Sequence, residues 1–227
     1  MRKTFDLSVY FVVGPENIGD KYFGAVLAQS IAGGVTFIQV RSKVASAKEL
    51  MELGRIAANE IKKVGKQDKV ALVINDRVDV AAALRLESVK IDGVHLGQSD
   101  VPVEYARKAL GEDAIIGLSA RAKDLFGYIK SFKPGIVDYF GAGPLHETPT
   151  KPDCGMVDGV VIERTLDEIK ELKRLSPLSV VVGGGVKLAD LAGLKATGVD
   201  GFFVVSAIAG ASDPFDAAKK LAEKWGE

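Results

Sequence analysis

The side chains able to do chemistry stand just after short apolar runs. Gln39, Arg41 and Lys43 occupy alternate positions, so an extended chain throws all three to one side. Asn75, Asp76 and Arg77 end a second run, and Gln98 and Asp100 follow a third. Farther on come Ser119, a polar stretch from Gly143 to Asp153 that holds Thr148, Thr150 and Lys151, the triple glycine Gly183-Gly184-Gly185, and Val205-Ser206. Two carboxylates with Lys and Arg on one rim suit a hard divalent ion such as Mg²⁺ shared with a phosphate-bearing substrate. Glycine turns expose backbone N–H groups, which suits a second phosphate. Two anion sites flanking one mouth fit a reaction that joins two phosphorylated molecules, or cleaves one.

Each signal has a plainer reading. Asp76 and Asp100 can cap the helices they precede, and Ser99-Asp100-Val101-Pro102 has the form of a cap before a first-turn proline. The pair on adjacent strands favours a metal over two separate caps. Arg41 and Lys43 can be solvated loop charges, and the triple glycine can be a tight turn. His95 lies inside an apolar run and reads as a core or supporting residue. His146 and Cys154 lack partners at metal-ligand spacing and read as structural, and Trp225 is expected to dock the last helix.

Strands must position these groups. The apolar runs are Ser8–Val13, Thr36–Val40, Val70–Asn75, Gly93–Leu96, Ile115–Leu118, Val137–Gly141, Leu178–Val182 and Gly201–Val205. Their near-continuous apolar character marks parallel strands covered on both faces. They start at intervals of about 22 to 41 residues, the range of βα units. Between them, Lys48–Val64 and Thr165–Leu175 carry apolar stripes at helical spacing, and a last helix is expected over Pro214–Trp225. Eight units count out an α/β fold, a single (β/α)₈ TIM barrel over residues 1–227, with its active site at the carboxyl ends of the strands. The first turn, Gly14-Pro15-Glu16-Asn17, is no dinucleotide fingerprint, which argues against an open doubly wound sheet.

The chain has 227 residues, 30 Lys and Arg against 30 Asp and Glu, 47% hydrophobic residues and one cysteine. That hydrophobic share excludes a disordered chain. Zero formal net charge and the lack of a basic run argue against nucleic acid. No apolar run approaches the roughly 18 residues of a membrane span, so no membrane partner is expected. A lone cysteine forms no internal disulfide and fits a reducing, cytoplasmic setting. A homo-oligomer is compatible with all of this.

Seven blocks together resemble the thiamine-phosphate synthase family: GGVTFIQVRSK at 33–43, INDRVDVA at 74–81, DGVHLGQSDVP at 92–102, GLSA at 117–120, GPLHETPTKPD at 143–153, GGGV at 183–186 and DGFFVVSAI at 200–208. The resemblance implies that a hydroxymethylpyrimidine diphosphate is joined to a thiazole phosphate, giving thiamine phosphate and pyrophosphate. By position it implies Gln39, Arg41, Lys43, Asn75 and Ser119 at the pyrimidine diphosphate, and Asp76 and Asp100 as Mg²⁺ ligands. It implies Lys151 on the diphosphate side, Thr148 and Thr150 beside the thiazole phosphate, and Gly185, Val205 and Ser206 in the phosphate cup. Arg41, Lys43 and Lys151 would then stabilise the leaving group.

Three departures from the family's pattern stand out. Arg121 occupies a position where a histidine is common, which speaks against the activity of the related tautomerases. The segment between Val80 and Asp92 is a few residues longer than is usual in the family, and Leu145-His146-Glu147 replaces more apolar residues beside the thiazole pocket. A tautomerase-type isomerase or a non-catalytic phosphate sensor on the same barrel are the competing readings. Retention of both aspartates with Lys43 and Lys151 argues against each.

Overall fold

The computed structural model describes residues 3–120, 123–131, 135–148 and 155–227. Six strands come first: β1 (Val9–Val13), β2 (Phe37–Val40), β3 (Ala71–Asn75), β4 (Gly93–Leu96), β5 (Ile115–Ser119) and β6 (Tyr139–Ala142). An antiparallel hairpin, β7 (Met156–Val157) and β8 (Val160–Val161), precedes β9 (Ser179–Gly183) and β10 (Gly201–Val204). Eight strands close a parallel barrel in the order β1-β2-β3-β4-β5-β6-β9-β10, and β10 returns to pair with β1. The (β/α)₈ TIM barrel implied by the spacing is what forms. Every expected strand is present, displaced by at most two residues at an end.

The hairpin is the element that the periodicity does not foretell. Its turn residues Asp158 and Gly159 both take positive φ, 50° and 84°, the geometry of a tight hairpin connection. An Asp-Gly pair between short apolar residues was its available signal.

The connecting helices are α1 (Phe23–Ala32), α2 (Ala47–Lys63), α3 (Val78–Leu86), α4 (Val103–Leu110), α5 (Leu125–Ser131), α6 (Leu166–Leu175), α7 (Leu191–Ala196), α8 (Ser206–Ala209) and α9 (Pro214–Gly226). Two amphipathic helices, α2 and α6, start where capping boxes sit. Ser46 accepts from the Glu49 N–H and Thr165 from the Glu168 N–H, and each glutamate reaches back to its cap. Trp225 packs on Phe202 at 5.3 Å between ring centroids, docking α9 on the barrel as expected. No helix among the described residues is long and apolar enough to cross a membrane.

Alternation along the strands splits the apolar residues into two cores. Val9, Phe11 and Val13 face the helices, while Tyr10 and Val12 face the barrel interior with Phe37, Val73, Ile115, Tyr139 and Val181. Toward the carboxyl ends the inward positions turn polar: Gln39, Asn75, His95 and Ser119. So the interior is aromatic at depth and polar at the mouth.

The amino ends are latched in four places. Just before or at the start of each even member of a strand pair, a side-chain oxygen accepts from a backbone N–H of its predecessor. Thr36 takes Val9, Asp92 takes Leu72, Asp138 takes Ile116 and Asp200 takes Val180, at 2.7 to 3.1 Å. Each aspartate is also paired with a cation: Asp92 with Lys3 and Lys90, Asp138 with Arg107, and Asp200 with Lys173.

Candidate active site

A cavity of about 1030 Å³ opens at the carboxyl ends of the barrel strands, large enough for two small molecules. Gln39, Arg41, Lys43, Asn75, Asp76, Asp100, Ser119, Thr148, Gly185, Val205 and Ser206 all line it. Thr150, Lys151, Arg121 and Cys154 lie outside the described residues. The β2 and β3 ends deliver the polar side chains because the last inward position of each strand, Gln39 and Asn75, is polar.

Asp76 and Asp100 do not cap helices. The residues flanking α3 and α4 at their starts are Arg77 and Pro102, neither with a side-chain cap bond. Asp100 instead accepts from the Gly97 N–H at 2.6 Å, which bends the β4 loop back over the mouth. Asp76 takes a left-handed backbone, φ 60°, uncommon for a residue with a side chain and frequent at functional sites.

The two carboxyl groups lie within hydrogen-bonding reach of each other. Burial pushes both upward. At Asp76, bonds from Lys43 and Asp100 outweigh burial and hold it below the ordinary value. At Asp100, burial first and the bond to Asp76 next outweigh the bond from Gly97 and raise it. Two carboxylates this close ionise together only at a cost, which a hard divalent cation between them removes. The donor set therefore suits Mg²⁺. Among the described residues no third His, Cys, Asp or Glu joins them, so other ligands would come from substrate oxygens and water.

The cations divide into two kinds. Lys43 Nζ lies 2.7 Å from Asp76 Oδ2, so it is not merely a solvated loop charge. The Arg41 guanidinium faces the cavity with no partner among the described residues.

Glu16 has no part in the sequence-based reading, yet it organises this loop. Its Oε1 accepts from Ser42 Oγ at 2.5 Å and from the Lys43 N–H at 3.1 Å. Gly14 lets the two loops meet, because a Cβ there would lie 1.9 Å from the Arg41 carbonyl oxygen. Burial raises the Glu16 carboxyl, but the bonds from Ser42 and nearby backbone N–H groups outweigh it and leave it below its ordinary value. The clamp is thus intact above the ordinary carboxylate range and is lost as pH falls through the lowered value. Glu16→Ala is expected to raise KM for whichever substrate the Arg41–Lys43 loop holds by about tenfold, with little change in melting temperature. Initial-rate kinetics check this, and an unchanged KM counts against the clamp.

On the opposite wall, Gly184 and Gly185 take positive φ, 83° and 68°, which turns the chain tightly after β9. His146 packs there rather than standing apart. A Cβ on Gly185 would lie 2.7 Å from its Cβ, and His146 Nε2 is 3.0 Å from Asp190 Oδ2. Lys187 also reaches the cavity, a cation that the spacing of glycines conceals.

His95 is a supporting residue, as expected from its place inside an apolar run. Its Nε2 is 3.0 Å from Ser119 Oγ and its Nδ1 is 2.9 Å from the Tyr139 hydroxyl. Gln98 Nε2 donates to the Ser119 carbonyl and to the Tyr128 hydroxyl.

Comparison with known proteins decides the family. The sequence profile described as thiamine monophosphate synthase matches residues 9–208. The chain belongs to that family. It is 38% identical over 224 residues to the thiamine-phosphate synthase of Campylobacter jejuni strain 81-176, covering 99% of this chain and 96% of the relative. The thiamine-phosphate synthase of Desulfitobacterium hafniense strain Y51 is 37% identical over 220 residues, 97% of this chain and 98% of that one. Among solved structures, the thiamine phosphate pyrophosphorylase from Pyrococcus furiosus superposes with a TM-score of 0.77 at 27% identity, over 97% and 96% of the two chains. Membership in the thiamine monophosphate synthase family makes this protein a transferase of thiamine biosynthesis.

Proposed function

We propose that this synthase joins 4-amino-2-methyl-5-hydroxymethylpyrimidine diphosphate to a thiazole phosphate, with Mg²⁺, in a dissociative substitution. The observation that carries the reading is the Asp76–Asp100 pair with Lys43 and Arg41 at one side of a cavity whose other side is a glycine turn. In this reading residues 1–227 act as one catalytic domain, in the cytoplasm, on small molecules only.

The C–O bond to the diphosphate breaks first, and pyrophosphate leaves with its electron pair. The pyrimidine amino group stabilises the resulting methylene cation, and the thiazole nitrogen attacks it to form the new C–N bond. The nucleophile brings a free lone pair, so no general base is required. Asp76 and Asp100 would hold Mg²⁺, which supplies charge neutralisation on the diphosphate oxygens. Arg41, Lys43 and Lys151 stabilise the negative charge that builds on the leaving group. Gln39, Asn75 and Ser119 hold the pyrimidine. Thr148, Thr150, Gly185, Val205 and Ser206 hold the thiazole phosphate in line and help keep water from the cation.

Pyrophosphate release from the purified protein, with both substrates and with or without EDTA, tests the reading. Release that needs Mg²⁺ and the thiazole phosphate, with thiamine phosphate as product, supports it. Binding without turnover rejects it in favour of a sensor. A narrower test concerns the phosphate cup. Ser206 is exposed at the start of α8, so Ser206→Asp sets a carboxylate against the phosphate and is expected to weaken thiazole-phosphate binding by about tenfold or more. Calorimetry measures it, and unchanged affinity refutes the placement.

A further inference from the structure

We infer that Tyr10 and Tyr139 are positioning residues that fix the hydrogen-bond polarity of the pyrimidine pocket, so that Gln39 offers it an acceptor and Ser119 a donor. Such a pocket selects an amino-substituted pyrimidine over its oxo counterpart. The inference rests on the pyrimidine reading above and names what would enforce it.

An unbroken chain of hydrogen bonds crosses the barrel interior. Gln39 Nε2 donates to the Tyr10 hydroxyl, the Tyr10 and Tyr139 hydroxyls are 2.9 Å apart, and Tyr139 meets His95 Nδ1 at 2.9 Å. His95 Nε2 then meets Ser119 Oγ at 3.0 Å. Fixing one end fixes the rest. Tyr10 oxygen accepts from the amide, so its proton goes to Tyr139. The Tyr139 proton goes to His95 Nδ1, which puts the imidazole proton on Nε2, donating to Ser119. Ser119 is left with its own O–H to donate. Burial pushes both tyrosine hydroxyls above their ordinary value, so both keep the proton that the chain requires.

The free end at Gln39 follows by elimination. Among the described residues no buried side-chain nitrogen or oxygen lacks a partner. Gln39 is 4% exposed and lines the cavity, and its amide nitrogen is committed to Tyr10. Its carbonyl oxygen therefore opens to the cavity as an acceptor.

The backbone is cleared to house the chain. A Cβ on Gly117 would lie 2.3 Å from the Tyr139 hydroxyl and 2.6 Å from His95 Nδ1. One on Gly141 would lie 3.1 Å from His95 Cε1. Two inward strand positions thus carry no side chain where the Tyr139–His95 contact passes.

A 4-aminopyrimidine presents an amino N–H donor and ring-nitrogen acceptors, which match the Gln39 oxygen and the Ser119 O–H respectively. The oxo compound puts an acceptor where the amino donor stood and so mismatches the Gln39 oxygen.

Kinetics on the intact protein, with thiazole phosphate, Mg²⁺ and either the aminopyrimidine diphosphate or its 4-oxo analogue, read the ratio of kcat/KM values. The parent is expected to favour the amino compound. Tyr139→Phe keeps the ring and deletes the link, so that preference should fall at least about tenfold, while the unpaired Tyr10 hydroxyl and His95 Nδ1 lower the melting temperature by a few degrees. A lowered activity or stability with an unchanged ratio means Tyr139 only fills space, and overturns the inference. Tyr10→Phe breaks the chain on the other side and carries the same expectation should Tyr139→Phe fail to fold. Nitrogen NMR of the imidazoles gives an independent reading, because the chain has two histidines. His95 protonated on Nε2 supports the polarity, and protonation on Nδ1 overturns it. A parent that turns over neither pyrimidine sinks the pyrimidine reading itself, a result the NMR measurement does not depend on.

Discussion

Asp76→Asn is expected to cut turnover by about 10²–10³-fold while the melting temperature stays within a few degrees of the parent's. Asparagine is the informative replacement. Asp76 sits at φ 60°, and asparagine tolerates that left-handed backbone, whereas alanine would add roughly 1–2 kcal/mol of strain. The substitution also keeps the side-chain shape while removing the charge that holds Lys43 Nζ at 2.7 Å and meets Asp100. Mn²⁺ or Mg²⁺ titration of the same variant separates the two parts of the effect. Wild-type turnover at saturating Mg²⁺ would remove Asp76 from the metal site.

The second large effect is on stability and lies at the other end of the barrel. The Arg107–Asp138 pair is 2.7 Å apart with both side chains 6% exposed. Arg107 also donates to the carbonyls of Ile136, Gly111 and Ala114, and Asp138 accepts from the Ile116 N–H. Asp138→Ala leaves a buried guanidinium charge without its carboxylate and a strand N–H without its acceptor. The expected loss is about 3–5 kcal/mol, or roughly 6–20 °C in melting temperature for a domain of this size. Asp113→Ala is the control, because the Arg85–Asp113 pair is half-exposed and worth about 0–1 kcal/mol. Equal losses for the two variants in thermal or urea melts would show that burial is not what makes the difference.

The barrel was legible because its signal is one-dimensional. Runs such as Val70–Asn75 and Gly201–Val205 are apolar along the chain whatever they pack against. The polar rim was legible for a related reason: groups that follow an apolar run must emerge at the strand's carboxyl end, and Gln39, Asn75, Asp76 and Ser119 do. Other features depend on meetings between distant positions. Tyr10 and Tyr139 look like ordinary core aromatics, and only the folded barrel brings their hydroxyls to 2.9 Å. Glu16 looks like a surface acid until the β1 and β2 loops close on each other. The capping reading of Asp100 failed because its carboxylate turns back to Gly97 instead of forward to α4.

The four latches at the amino ends bear on how the chain folds. Each joins partners only 20 to 27 residues apart, so each closes a short loop at modest entropic cost. Quarter-barrels of strand, helix and strand can thus be fastened one after another as the chain leaves the ribosome. The seam between β1 and β10 is different. It pairs Val9 with Phe202 and must wait for nearly the whole sequence. Barrel closure at that seam is then the slow, non-local event, and the cavity at the barrel's mouth, whose walls include both β1 and β10, is assembled last.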